Sequence, residues 1–121
     1  MEAFDTESLT AVHWFAIALA TVSGAIHLLL AVIVPIPTLQ ASFLLAGLGF
    51  FGGIALMLAD YRRQLLYAVG IPFTGLQIVL WYLIVGPTLA TLEPLDAIDK
   101  LAQTVLVVLL VVLYARESNQ S

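Results

Sequence analysis

The side chains able to do chemistry are few. His13 and His27 are the only imidazoles, and the chain has no cysteine. Disulfides, thiolate metal sites, iron–sulfur clusters and thiol catalysis are therefore excluded. Fourteen residues separate the two histidines. On a helix rising ~1.5 Å per residue they would share a face to within ~40° and stand ~21 Å apart. Ser23 lies one helical turn before His27. A hydroxyl–imidazole pair becomes a nucleophile only with a carboxylate to orient the ring, and no acid stands near it in the sequence. The expectation is a Ser23–His27 hydrogen bond that serves packing. Of the other ionisable groups, Glu93, Asp96 and Asp99 suit the first turn of a helix, where they offset its dipole, with Lys100 as local partner. Weak attraction for a divalent cation is the alternative for that trio.

The elements that must carry these groups are four apolar runs of about twenty residues, at about 9–34, 39–59, 65–86 and 97–115. Each matches the ~30 Å hydrocarbon thickness of a bilayer when helical. A mean hydropathy of +1.08 agrees, and only 10% of the residues are charged. The expectation is an all-α fold, a four-transmembrane-helix antiparallel up-down-up-down bundle. It would form one integral membrane domain over 1–121, because the connections are too short for anything but antiparallel neighbours. The acidic start MEAFDTESLT lacks the basic lead of a cleavable signal, so the first span is expected to be retained. Ser8 or Thr10 is the expected N-cap of span one. Pro35 and Pro37 break the first connection, Asp60-Tyr61-Arg62-Arg63 the second, and Gly86-Pro87 ends span three. Pro72 inside span three predicts a hinge, either a kink or a broken turn. Asp60, Arg62 and Arg63 are expected at a solvated boundary. Arg62, Arg63 and Arg116 fall on the side of the termini against Lys100 alone opposite, which predicts a multi-pass cell-membrane protein with both termini cytoplasmic.

Helix contacts in lipid favour small side chains. Ala20, Gly24 and Ala31 share an arc of span one, with the two histidines. Ser42, Ala46, Gly49 and Gly53 form a stripe on span two, and Gly70, Thr74 and Gln77 one on span three. Gln77 is expected to bond across helices, with Gln40 as one candidate. Span four reads as unbroken Val and Leu from Val105 to Leu113 and is expected to be the most lipid-exposed. No acid or base is expected within any span core.

The histidine pair with its small-residue face resembles the haem-ligand helix of membrane b-type cytochromes, which implies haem b held by His13 and His27. That family ligates from two helices, and spans two to four contain no histidine, so the resemblance requires a homodimer with each histidine facing its mate. Small multidrug transporters share the four-span format but use a buried Glu in span one, and no acid follows Glu7 there. Small fluoride channels resemble the Gly-rich GLGFFGG run, but their buried Asn is missing. Over nearly its full length the chain resembles small haloarchaeal four-span membrane proteins of unknown function. ESLTAVHWFAIALA, FLLAGLGFFGG with DYRRQL, GIPFTGLQIVLWY and LDAIDKLAQ carry that likeness, which implies a lineage and a topology and no activity.

By subtraction, the chain is expected to be a non-enzymatic structural or accessory protein. It would use no cofactor or metal and associate through its small-residue faces, as a homo-oligomer or within a larger membrane complex. The homodimeric haem electron carrier is the alternative, and a small channel or lipid-binding protein the third reading. Membrane lipid is the expected surrounding partner. A net charge of −4 with four basic residues argues against nucleic acid.

Overall fold

The computed structural model describes residues 7–86 and 93–120, which form α1 (Ala11–Ile33), α2 (Pro37–Leu58), α3 (Arg63–Val85) and α4 (Pro94–Gln120). Each is long and apolar enough to cross a membrane. Pro87, expected to end the third span, and the acids Glu2 and Asp5 lie outside the described residues.

The helix ends follow from local chemistry. Thr10 is the N-cap of α1, and its backbone N–H donates to His13 Nδ1 at 3.0 Å, satisfying a donor that helix geometry leaves orphaned. Pro37 and Pro94 open α2 and α4, where a missing N–H costs nothing. Asp60 (φ 53°) and Arg62 (φ 49°) carry the α2–α3 turn in left-handed conformation, costing roughly 1–2 kcal/mol each for residues with a Cβ. Arg63 offsets that cost: Nε donates to the Met57 carbonyl at 2.9 Å and one terminal nitrogen to Ser8 Oγ at 2.7 Å. The guanidinium thus caps α2 and ties down the chain before α1. It is buried, not placed at the expected solvated boundary. Gly86 (φ 59°) closes α3 as a left-handed C-cap.

Around the bundle, α1 packs on both α2 and α4, α4 packs on α3, and α2 and α3 barely touch although they are consecutive. The α1–α2 contact is a close backbone approach, because a Cβ on Gly47 would lie 3.1 Å from the Gly24 carbonyl oxygen and 2.6 Å from Leu28 Cδ2. Span four is not the most lipid-exposed. Asp99, Ala102, Gln103, Leu106, Leu110 and Leu113 form its buried stripe, since three- and four-residue steps keep them on one face. α3 continues unbroken through Pro72, so no turn is lost there, and the proline itself is exposed.

Candidate functional site

Polar side chains from three helices meet between α1, α3 and α4. Ser23 stands near the middle of α1 and is fully buried, with His27 one turn on. α3 contributes Gln77 and Trp81, and α4 contributes Asp99, Lys100 and Gln103. The expectation of span cores free of charge is corrected here. The Asp99 side chain is 3% exposed and that of Lys100 13%. Asp99 does not serve as a solvated first-turn acid. Its place on the stripe with Ala102, Leu106 and Leu110 turns it inward.

The bonding is directional. Ser23 Oγ donates to Asp99 Oδ1 at 2.5 Å, a short charge-assisted bond. Lys100 Nζ donates to Asp99 Oδ2 at 2.9 Å and to Gln103 Oε1 at 3.0 Å, and lies 5.8 Å from the centre of the Trp81 ring. Gln103 Nε2 donates to Ser23 Oγ at 3.2 Å and to Gln77 Oε1 at 2.8 Å. Gln77 Nε2 donates to the Phe73 carbonyl at 3.1 Å. The cross-helix partner of Gln77 is thus Gln103, and Gln40 plays no part in the network. Each amide orientation follows from its neighbours, and these bonds hold three helices in one register; the Trp81 indole N–H is buried beside them without a hydrogen-bond partner among the described residues.

His27 sits at the edge of this network. Its Nδ1 lies 2.7 Å from the Ser23 carbonyl oxygen, which can only accept, so Nδ1 carries the proton. The same nitrogen is 3.8 Å from Asp99 Oδ1. The carboxylate absent from the neighbouring sequence therefore arrives from α4. The order is nonetheless unlike that of a nucleophilic triad, because the serine proton points at the carboxylate and not at an imidazole lone pair. The ring packs on Phe43 and Phe50, at centroid distances of 6.1 and 5.7 Å.

His13 belongs to a second polar region at the terminus end, beside a cavity of about 460 Å³ lined by Ser8, Thr10, Asp60, Arg63, Arg116 and Glu117. Its Nε2 and the Tyr67 hydroxyl are buried without a hydrogen-bond partner among the described residues. Both histidines face into their own bundle. A haem shared with a symmetry mate would need them on an outer face, so the packing adds nothing to the spacing that suggested it.

Between α2 and α3 lies an apolar cleft of about 350 Å³. Ala16, Ala20, Leu106 and Leu110 floor it, Gly49, Gly52 and Gly53 line one side, and Leu66, Val69 and Phe73 the other. Phe73 bridges the two helices, its ring 5.3 Å from that of Phe50 and against the bare Cα of Gly49.

The small residues divide among these contacts. Gly24 meets Phe50 and Phe51 of α2, Gly70 meets Leu110 of α4, and Ala20 and Thr74 are buried. A Cβ on Gly53 would come into ordinary contact with Leu66 across the cleft. Ala31 and Ala46 are half-buried. Ser42 is exposed and donates back to the Thr38 carbonyl. The closest approach on α2 falls to Gly47, which lies between Ala46 and Gly49 of the Ser42–Gly53 stripe and is not part of it.

Gln103 and Trp81 were absent from the sequence-derived candidates, and Asp99 and Lys100 entered only as a first-turn acid and its partner, with weak attraction for a divalent cation as the alternative. The available signal was Gln103 four residues after Asp99, in register with Leu106, Leu110 and Leu113. Among the described residues no three His, Cys, Asp or Glu side chains converge to hold a metal. Residues 2–114 match the model of a family described as a family of unknown function (DUF7475). No curated protein and no solved structure matches the chain.

Proposed function

Given that the chain belongs to this family of unknown function, we propose that it is a non-catalytic accessory module of the membrane whose α2/α3 cleft takes up an acyl chain from the surrounding lipid. The observation that carries this reading is the cleft itself, at the lower end of the size of small-molecule sites. It runs from mid-span toward the α2–α3 turn, lined almost wholly by carbon, in a medium that offers hydrocarbon and no water. The glycines of α2 deepen it. A Cβ on Gly52 would meet nothing within 4 Å. Most of the other small residues are occupied inside the bundle, which leaves this seam as the face open to a guest. The absence of catalysis is supported by the direction of the Ser23 hydroxyl, which is committed to Asp99. The bias of Arg62, Arg63 and Arg116 toward the terminus end supports cytoplasmic termini.

Native mass spectrometry from lipid nanodiscs tests the reading with Gly52→Leu, whose Cβ enters open space at the cleft wall. The wild type is expected to retain lipid that the variant loses, both as monomers. Equal retention would overturn the proposal. So would a wild-type dimer that the variant dissolves, since a second copy would then be the occupant.

A further inference from the structure

The acceptors around Lys100 are arranged for a cation more than for this particular side chain. Consecutive residues on a helix point ~100° apart and do not face each other. Lys100 nevertheless folds back to place Nζ against the carboxylate of the preceding residue. Asp99 Oδ2 and Gln103 Oε1 receive it, beside the face of Trp81, while Ser23 Oγ and Gln77 Oε1 lie within the same network. The lysine is the least buried partner of its ion pair and sits on a flexible stem, whereas the Asp99 carboxylate is fixed by Ser23. An ionised group inside a membrane bundle marks a pathway or ion site by default.

We propose that Asp99 and Gln103, with the carboxylate held in place by Ser23, form a binding site for a small monovalent cation, and that the Lys100 ammonium is its tethered occupant, released when an alkali ion takes its place. Oxygens would hold the ion where Nζ now lies: Asp99 Oδ2 and the Gln103 carbonyl, the donor type that hard cations prefer, while Ser23 holds the carboxylate from its other oxygen. The single positive charge of the ion matches the ammonium it displaces, so the buried carboxylate stays neutralised in both states. The proposal does not depend on the lipid reading, because Phe50 and Phe73 stand between the cleft and the network.

Lys100 is the only lysine in the chain, which makes its exchange measurable. The full-length protein in nanodiscs is acylated with an amine-reactive reagent at constant pH and ionic strength, in sodium, potassium or choline chloride, and labelling of Lys100 is followed by mass spectrometry. Labelling is expected to be several-fold faster in sodium or potassium than in choline, which is too large for the site. Lys100→Met is expected to show a Tm that rises with the alkali salts and not with choline, a response lost in the double variant that adds Asp99→Asn. Equal labelling in all three salts overturns the proposal, as does a folded Lys100→Met protein indifferent to the salt. Should Lys100→Met fail to fold, the wild-type labelling decides alone.

Discussion

α3 has two neighbours in sequence, and it treats them differently. Against α4 it closes, with Gln77 bonded to Gln103 and Gly70 set on Leu110. Against α2 it stands off, touching mainly through Phe73 and leaving a cleft. Both seams join consecutive helices of similar apolarity. In water both would shut to bury hydrocarbon. In lipid, apolar surfaces gain nothing from meeting each other that acyl chains do not already supply, so polar bonds and close backbone approach decide which seams close. The distribution of burial agrees. A third of the apolar stretch of α1 and of α4 is buried, against 17% in α2 and 11% in α3.

The largest blow to the closed seams is expected from Asp99→Ala. It leaves the Lys100 ammonium and the Ser23 hydroxyl without their partner, and breaking a buried pair this way costs about 3–5 kcal/mol. Reversible unfolding in mixed micelles measures it. A loss under ~1 kcal/mol would mean that apolar packing holds α1, α3 and α4 together.

Gly47→Leu and Gly52→Leu set the tight and open faces of α2 against each other. At Gly47 the new side chain must displace Leu28 and separate α1 from α2, an overpacking cost of roughly 1–3 kcal/mol. At Gly52 nothing stands in the way, and a change within ~0.5 kcal/mol is expected. The same unfolding assay compares them, and similar losses at both sites would abolish the distinction.

A modest loss is the most diagnostic for the α3–α4 seam. Gln77→Leu removes the bond to Gln103 and is expected to cost about 0.6–1.7 kcal/mol, the range of interhelical bonds in membranes. In a double-mutant cycle with Gln103→Leu, additive losses would show that the two amides are not coupled.

Much of this was legible along the chain. The four spans were, because an apolar run of twenty residues has one stable conformation in a bilayer whatever its neighbours do. The cap at Ser8 or Thr10 was equally local, and Thr10 takes it, while Pro37, read as part of the turn, instead opens α2. The inward carboxylate was not. Asp99 reads as a first-turn acid from its neighbours Asp96 and Lys100, and only the stripe through Leu106, Leu110 and Leu113 turns it toward Ser23, 76 residues away. Gly49 and Gly53 looked like the contact face of α2 by spacing. Gly47, between Phe43 and Phe50, has an equal claim by spacing, and the spacing alone could not rank them.

Composition and hydrophobic length by themselves determined that this protein is four membrane-crossing helices with short connections in sequence. Those properties act residue by residue, against the lipid. Which helices close on one another, and that Ser23, Asp99, Lys100 and Gln103 meet, was decided only by the tertiary structure. The physical reason is that bilayer insertion sets each helix upright without choosing its rotation about its own axis. That rotation is selected by a few polar and glycine contacts between segments far apart in the chain.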